Sequence, residues 1–134
     1  MTKKELAAAL HAKGYNCAQS VACAFAEEVG VPSDLLFKAA EGFGAGMGSG
    51  EGICGAVSAL ILLAGLKESG GEGNPVTKRD TYKLSAGIIR EFENKNGSSI
   101  CAELKGSGTG NVLRSCGGCI DDCVEIAERI FGEE

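Results

Sequence analysis

An uncharged run of 14 residues, Ile53 to Leu66, constrains the fold of this chain more than any other feature. A helix that spans a membrane needs about 18 to 20 apolar residues, so this run is too short to cross a bilayer. Its length suits about four turns of α-helix, and it lacks the charges that would mark a solvent-facing side. The run therefore predicts a helix that is buried in the protein.

The other segments show helical signals, and no strong run of alternating apolar and polar residues indicates a strand. The predicted N-caps are Thr2 (with Glu5 as a capping box), Asn16, Ser33 and either Ser98 or Ser99. Helices are predicted at about 2–11, 17–29, 33–41, 53–66, 77–94 and 115–131, with a short one around Cys101. We therefore expect an all-α fold: a single domain over residues 1–134, built as a helical bundle of about five to seven helices with a glycine-rich loop.

Composition and charge exclude several classes of function. The net charge is −5 and no long basic stretch occurs, so no nucleic-acid partner is expected. The single histidine, His11, cannot build a Ser/His/Asp set, and the acidic residues are predicted to lie on solvated helix faces, which argues against a hydrolase. These acidic residues are Glu27, Glu28, Asp121 and Asp122. The start of the chain lacks a signal-peptide pattern and no membrane span is predicted, so we expect a cytoplasmic protein.

Seven cysteines in 134 residues are the most unusual part of the composition. In a reducing compartment, such a number is typical of metal binding or thiol chemistry rather than of permanent disulfides. Five of them fall in the first turn of a predicted helix, where free N–H groups and the helix dipole stabilise a thiolate. These five are Cys17, Cys54, Cys101, Cys116 and Cys119. Cys23 has apolar neighbours and is predicted to pack in the core.

The densest cysteine cluster is CGGCIDDC, which holds Cys116, Cys119 and Cys123. Their spacing of i, i+3 and i+7 places them within about 60° of one another on a helix face that overlaps the apolar stripe. The three are predicted metal ligands, and a fourth ligand would come from another first-turn cysteine. The same spacing also suits thiols that pack in the core, and no βαβ pattern supports a thioredoxin-type CxxC motif.

Glycine occupies every second position from 42 to 52, shortly before Cys54. The spacing is not GxGxxG, no strand precedes it and no Lys-Ser/Thr pair follows, so it does not predict a phosphate-binding loop. Alternating glycines instead permit positive φ and the close approach of another segment. We expect them to let a thiol-bearing segment approach Cys54, and we expect bulky replacements at Gly48, Gly50 or Gly55 to disturb cysteine reactivity more than stability.

Four segments carry a resemblance to a known family: YNCAQSV with Cys17, GFGAGMGSGEGICGAVSALILLAGL with Cys54, SSICAEL with Cys101, and CGGCIDDCVEIAERI. Over almost its whole length, the chain resembles the small redox-active proteins named for the cysteine pattern C_GCAxxG_C_C. The glycine run that leads into CGA is the most specific part of the likeness. One departure is Ala59, which stands where the family has a glycine.

The resemblance implies four hallmark cysteines with a redox role, and these are the candidate catalytic residues. Three of them match Cys17, Cys54 and Cys101 directly. The fourth is one of the three cysteines of CGGCIDDC, among which Cys119 is favoured because it shortly precedes the amphipathic last helix.

Three functions remain open at this point. The first is a thiol-based oxidoreductase, with thiol–disulfide or electron-transfer chemistry and an unidentified redox partner protein. The second is a module that binds a metal ion or an iron–sulfur cluster through the same thiolates. The third is a non-catalytic helical interaction domain, in which cysteines pack and small-residue helices pair, including between copies in a homo-oligomer.

Overall fold

The computed structural model describes residues 1–132 and is all-α, as the sequence predicts. Its helices are α1 (Lys3–Ala12), α2 (Cys17–Ala24), α3 (Ala26–Val29), α4 (Ser33–Ala40), α5 (Gly44–Met47), α6 (Gly55–Glu68), α7 (Lys78–Asn96), α8 (Cys101–Lys105) and α9 (Cys116–Ile130), with a 3-10 turn at Glu41–Phe43. α2 and α3 together occupy one predicted helix, and α5 is a single turn inside the predicted glycine-rich loop. The remaining helices correspond to the predicted ones. Residues 133 and 134, at the end of the predicted domain 1–134, lie outside the described part.

The predicted buried helix is α6. Within it, Ala56, Val57, Ala59, Leu60 and Leu63 have no solvent exposure. α6 packs against α2, α7 and α9, and its contact with α2 is the most extensive because the small side chains of CAQSVACA let the two helices come close. At 14 residues α6 is too short to cross a bilayer, and no other helix described for residues 1–132 combines the necessary length and apolarity.

α6 begins at Gly55, two residues later than predicted, because the chain before it pairs with a distant segment. Ile53 forms an isolated antiparallel bridge with Ile100. Two backbone hydrogen bonds flank this bridge: the amide of Cys54 donates to the carbonyl of Ser99 (2.7 Å), and the amide of Cys101 donates to the carbonyl of Gly52 (3.0 Å). The starts of α6 and α8 are therefore joined side by side.

Two predicted N-terminal caps are confirmed, and a third helix start is capped in the same way. Thr2 and Glu5 form the predicted capping box of α1. Asn16 accepts the amide of Gln19 at 2.8 Å, while the Gln19 side chain accepts the amide of Asn16 at 2.9 Å. Ser115 accepts an amide of the first turn of α9. These caps set where α2 and α9 begin, and so where their first cysteines lie.

The predicted caps Ser33, Ser98 and Ser99 are wrong. Ser33 is the first residue of α4, and no side chain caps that helix. The hydroxyls of Ser98 and Ser99 instead donate to the carboxylates of Glu103 and Glu93. A hydrogen bond to a charged carboxylate is stronger than one between neutral groups, so these hydroxyls bind carboxylates, including that of Glu103 in the first turn of α8, and do not cap its backbone amides.

The glycine-rich segment turns tightly toward α8. Ala45 and Met47 have left-handed backbone angles, with φ of 55° and 63°, so α5 is an irregular turn rather than a regular helix. After this turn, the carbonyl of Gly50 accepts the amide of Ala102 at 2.8 Å. The segment before Cys54 and the segment that carries Cys101 are thereby held together.

Candidate functional site

Five cysteines line one small cleft where α2, α6, α8 and α9 meet. The cleft has a volume of about 20 Å³. Its lining consists of Cys17, Cys54, Gly55, Cys101, Leu104, Lys105, Arg114, Cys116 and Cys119. All four cysteines predicted as catalytic thus lie around one space, which we call the cysteine cleft.

Helix starts place these thiols around the cleft. Cys17, Cys101 and Cys116 are the first residues of α2, α8 and α9. Cys54 is the N-cap of α6, and Cys119 lies at the end of the first turn of α9. The prediction that these cysteines lie in first turns is therefore confirmed for four of them, whereas Cys54 immediately precedes its helix. Helix starts from four parts of the chain meet at one point of the fold.

Two glycines make room for cysteine side chains. A Cβ at Gly55 would lie 2.6 Å from the Sγ of Cys17 and 2.9 Å from the carbonyl oxygen of Phe43. A Cβ at Gly46 would overlap the Cβ of Cys101. No larger residue fits at either position without displacing these groups. The glycine run therefore allows the close approach of thiol-bearing segments that its spacing predicts.

Of the three glycines predicted to affect cysteine reactivity, only Gly55 contacts a cysteine. Gly48 and Gly50 have φ of 80° and 83°, and a Cβ at either position would meet open space. Glycine at these two positions permits the left-handed backbone of the turn. It is not needed to make room for a thiol. Gly46, which contacts Cys101, was not singled out because the alternating pattern does not distinguish one glycine from the next.

Cys54 is the thiol that ionises most readily. The Cys119 thiol donates a hydrogen bond to its sulfur, and this bond outweighs the opposing effect of burial and lowers the pKa of Cys54 from 9.0 to about 7. The backbone N–H groups of Ala56 and Val57 and the ammonium of Lys105 act in the same direction. The same hydrogen bond, together with burial, raises the pKa of Cys119, which therefore stays protonated as the donor. Cys54 is therefore the cysteine of the site whose thiolate is favoured near neutral pH.

Burial governs the other cysteines of the site. It raises the pKa of Cys17 and of Cys101, and it raises the pKa of the fully buried Cys123 well above its ordinary value. A first-turn position therefore does not give Cys17 or Cys101 a lowered pKa, although the backbone N–H of Ala18 in α2 does act to lower the pKa of Cys17. The free energy cost of burying a thiolate at these positions exceeds the stabilisation that the N–H groups of a helix start provide.

Lys105 supplies a positive charge at the cleft. It is the exposed last residue of α8, and negative charge on Cys116 and Cys101 together with a hydrogen bond to Cys116 raises its pKa. Sequence reasoning missed this residue. The available signal was its position four residues after Cys101, which places both on one face of a helix.

The predicted solvent exposure of Asp122 is wrong, because this side chain is only 5% exposed. Its carboxylate accepts hydrogen bonds from Arg114 Nε and Nη2, both at 3.0 Å, from Lys95 Nζ at 2.6 Å and from Asn96 Nδ2 at 3.0 Å. Burial acts to raise the pKa of Asp122, but these hydrogen bonds outweigh it and lower the pKa below its ordinary value. The network holds the Arg114 guanidinium against Gly118, at the wall of the cysteine cleft.

The three other acidic residues that were predicted to face solvent differ in their exposure. Glu27 is exposed, as predicted, and Asp121 is half-buried. Glu28 is also half-buried, and its carboxylate pairs with the ammonium of Lys3 at 2.9 Å. All three lie outside the lining of the cysteine cleft.

Two cysteines lie outside the cleft. Cys23 is 8% exposed and its thiol donates to the carbonyl of Ser33 at 3.5 Å, in keeping with the predicted packing role. Of the predicted metal ligands, Cys116 and Cys119 line the cleft, whereas Cys123 is buried behind it in the core. Within residues 1–132, no group of three or more His, Cys, Asp or Glu side chains is arranged to hold a metal ion.

A comparison with models of protein families shows the family to which the chain belongs. The model of a family described as "Putative redox-active protein (C_GCAxxG_C_C)" matches residues 15–130 of the 134-residue chain. This span contains all seven cysteines. The chain belongs to the C_GCAxxG_C_C family. No curated protein and no solved structure gave a significant match.

As a C_GCAxxG_C_C family member, the chain departs from the pattern at Ala59 without losing the packing of that position. Ala59 lies in α6 and has no solvent exposure. An alanine is the smallest side chain that can replace a glycine, and it carries the higher helix propensity. Ala59 therefore takes the place of the glycine as a buried residue inside α6.

Proposed function

We propose that this C_GCAxxG_C_C protein is a thiol–disulfide redox protein in which Cys54 is the attacking thiolate and Cys119 the resolving thiol. One observation carries the proposal: Cys54 and Cys119 line the same cleft, where a hydrogen bond from the Cys119 thiol lowers the pKa of Cys54. The thiolate is the reactive form of cysteine, and this contact favours it at Cys54. The same contact holds a second thiol beside the first, as closure of a disulfide requires.

The proposed cycle has an oxidative half and a reductive half. In the oxidative half, Cys54 and Cys119 lose two electrons to an oxidant such as a peroxide or a disulfide, the Cys119 proton is released, and an S–S bond forms between them. In the reductive half, the Cys116 thiolate attacks the sulfur of Cys119, which moves the disulfide to Cys116 and Cys119 and frees Cys54. A dithiol of a partner protein then attacks Cys116 and returns two electrons.

Cys116 is suited to the contact with a partner. It is half-buried, whereas Cys54 and Cys119 are 5% and 3% exposed. The ammonium of Lys105 forms a hydrogen bond with its sulfur. The disulfide thus forms in the interior and is exchanged at the rim of the cleft.

The experiment that tests the proposal is a redox titration of the reduced full chain under anaerobic conditions. The protein is equilibrated in glutathione buffers of rising oxidised fraction, remaining thiols are alkylated, and they are counted by mass. We expect two of the seven thiols to disappear together in mildly oxidising buffer. Cys119→Ser should retain all six of its remaining thiols, while Cys23→Ser, a change outside the cleft, should lose two like the wild type. Loss of no thiols in the wild type, or equal loss in Cys119→Ser, contradicts the proposal.

The second candidate function is metal or iron–sulfur binding, favoured by the convergence of five thiols on one cleft. Four thiolates are the usual ligand set of a structural Zn²⁺ or of an iron–sulfur cluster. Cys17, Cys54, Cys101 and Cys119 would hold the group, with Cys116 as an alternative, only after their side chains move together, because within residues 1–132 no three of them are arranged around an ion. Elemental analysis of protein purified without oxygen tests this function, and a stoichiometric metal content would favour it over the dithiol.

The interaction-domain hypothesis receives the least support. The small-residue helix that it would pair between copies is α6, which is covered by α2, α7 and α9 of the same chain. Its close helix pairing therefore takes place inside one molecule. A homo-oligomer, the identity of the redox partner and a cytoplasmic location remain predictions, and the cycle above requires only a dithiol partner and a reducing compartment.

A further inference from the structure

We propose that the oxidant of the cysteine cleft is hydrogen peroxide, which Cys54 and Cys119 reduce to water. This inference rests on the proposed Cys54–Cys119 redox pair and adds the class of its substrate. Three observations carry it: the size of the cleft, the depth of Cys54, and the positive charges that line the walls.

The cleft admits only very small molecules. Its volume is about 20 Å³, whereas a site for one water molecule needs about 10–15 Å³ by the same kind of measure. A molecule of two oxygen atoms therefore fits, but a cumyl or glutathionyl group does not. Cys54 is 5% exposed and the wall residue Leu104 is 1% exposed, so a reagent reaches this sulfur through the cleft.

The cleft opens toward the surface at one end. Cys17, Arg114 and Cys116 are half-buried and Lys105 is exposed, while Cys54 and Cys119 lie deeper. A small solute can therefore enter between these side chains and meet the Cys54 sulfur, with the Cys119 thiol beside it. This depth separates the oxidant, which enters the cleft, from the partner protein, which meets Cys116.

Two cations face the space in which the peroxide bond would break. The Lys105 ammonium and the Arg114 guanidinium both line the cleft, and Asp122 fixes Arg114 through two hydrogen bonds of 3.0 Å. Negative charge develops on the departing oxygen when a thiolate attacks a peroxide. Positive charges beside the departing oxygen stabilise such charge.

The reaction balances with the two thiols and one peroxide. The Cys54 thiolate attacks one oxygen, the O–O bond breaks, and Cys54 sulfenic acid and hydroxide form. The hydroxide takes the proton of Cys119 and becomes water. The Cys119 thiolate then attacks the sulfur of Cys54, an S–S bond replaces the S–O bond, and the second hydroxide leaves. The two sulfurs lose two electrons in total, and the peroxide gains them.

Rates of disulfide formation in the reduced full chain test the size argument. Hydrogen peroxide, cumene hydroperoxide and oxidised glutathione are each added, the reaction is quenched with N-ethylmaleimide, and the peptide that joins Cys54 to Cys119 is quantified by mass. Tight pockets discriminate by about tenfold or more for each added group, so the hydrogen peroxide rate should exceed the cumene hydroperoxide rate by at least that factor, relative to the same ratio for free cysteine. Equal relative rates overturn the inference.

Trapping of the intermediate tests the site of attack. In Cys119→Ser, which cannot resolve the sulfenic acid, dimedone that is added together with a denaturant after hydrogen peroxide should label Cys54, since dimedone is too large for the folded cleft. Cys23→Ser serves as the matched control, since it retains Cys119 and should show the disulfide instead of the dimedone adduct. Labelling of the half-buried Cys17 or Cys116 in place of Cys54 overturns the inference.

The oxidised-glutathione arm separates the two proposals. Oxidised glutathione could close the Cys54–Cys119 disulfide at equilibrium while the relative rates with hydrogen peroxide and cumene hydroperoxide are equal. That result would support the redox pair and contradict the assignment of hydrogen peroxide as its substrate. If none of the three oxidants closes this disulfide, both proposals fall.

Discussion

The thiol of Cys119 donates a hydrogen bond to the sulfur of Cys54, across the junction of α9 and α6. The two positions are not equivalent. Cys54 is an N-cap beside the free N–H groups of Ala56 and Val57, whereas the Cys119 amide already donates to Ser115 at 2.9 Å within α9. The start of α6 therefore selects which sulfur carries the negative charge. A thiolate and a thiol in contact have the two protonation states that attack and resolution need.

The first expected outcome concerns the pH dependence of Cys54 alkylation. Its rate with iodoacetamide should rise as pH increases through about 7 and become constant above that value, because the pKa of Cys54 is lowered to about 7. In Cys119→Ala the hydrogen bond is lost, so the midpoint should move toward 9.0. Peptide mass analysis of the alkylated protein at a series of pH values measures both.

Cys119→Ser is the matched control for this measurement. A serine hydroxyl can still donate to the Cys54 sulfur, so its midpoint should lie below that of Cys119→Ala. Identical midpoints in the wild type and in Cys119→Ala would show that the hydrogen bond does not set the pKa of Cys54.

The second expected outcome concerns the cation at the cleft. Lys105→Met should raise the midpoint of Cys54 alkylation by about half a pH unit, since an exposed charge contributes about 0.2–1 kcal/mol. Stability should stay within about 0.5 kcal/mol of the wild type because Lys105 is a surface residue. Lys78→Met on α7, away from the cleft, is the control and should leave the midpoint unchanged. A shift of the midpoint by the same amount in both variants would show that Lys105 has no specific effect on Cys54.

The third expected outcome compares two glycines of α6. Gly55→Ala should destabilise the protein by about 1–3 kcal/mol and increase the alkylation of Cys17, because the new Cβ would displace the sulfur of that residue. Gly65→Ala meets nothing within 4 Å and should stabilise the same helix by up to about 1 kcal/mol. Urea unfolding and peptide mass analysis give the two readouts. A Gly55→Ala variant as stable as Gly65→Ala would contradict the close approach of Cys17.

Much of the helical fold could be predicted from the sequence, because its signals are local. The capping residues Thr2 and Asn16 act on amides three residues ahead, and the apolar run of α6 lies within one segment. The start of α6 was misplaced by two residues because Ile53 pairs with Ile100, a partner that no local pattern indicates. The break between α2 and α3 at Phe25 has no glycine or proline to signal it.

The fourth expected outcome concerns Asp122. Asp122→Asn should reduce the free energy of unfolding by about 3 kcal/mol at neutral pH, because it removes the charge that Arg114 and Lys95 contact in a buried site. Folding lowers the pKa of Asp122, so its stabilising effect is complete above its ordinary pKa and is lost as pH falls through the folded value. The difference between variant and wild type should therefore shrink in acid.

Asp121→Asn is the control for this change, since Asp121 is the neighbouring carboxylate and is only half-buried. Its effect should stay within about 0.5 kcal/mol. Equal losses for the two variants, or a difference that persists in acid, would show that the Asp122 network does not contribute as described. Urea unfolding at neutral and acidic pH decides between these results.

The candidate site was predictable in its cysteines but not in its electrostatics. The positions of Cys17, Cys54 and Cys101 follow from helix starts and from the family pattern. The distribution of charge among them depends on burial and on contacts between distant segments. Asp122 illustrates this limit: on the sequence it stands beside Asp121 in a polar stretch, but its three partners come from α7 and from the loop before α9. Arg114 comes to the site in the same way, through its contact with Asp122, whereas Lys105 lies on the same short helix as Cys101.

The identity of the first disulfide tests the central claim most directly. The reduced full chain is brought into a mildly oxidising glutathione buffer, quenched with acid, digested, and searched by mass for linked peptides. The account predicts that the first intramolecular disulfide joins Cys54 to Cys119. A first disulfide that does not include Cys119, with the Cys54 thiol still free, would contradict it.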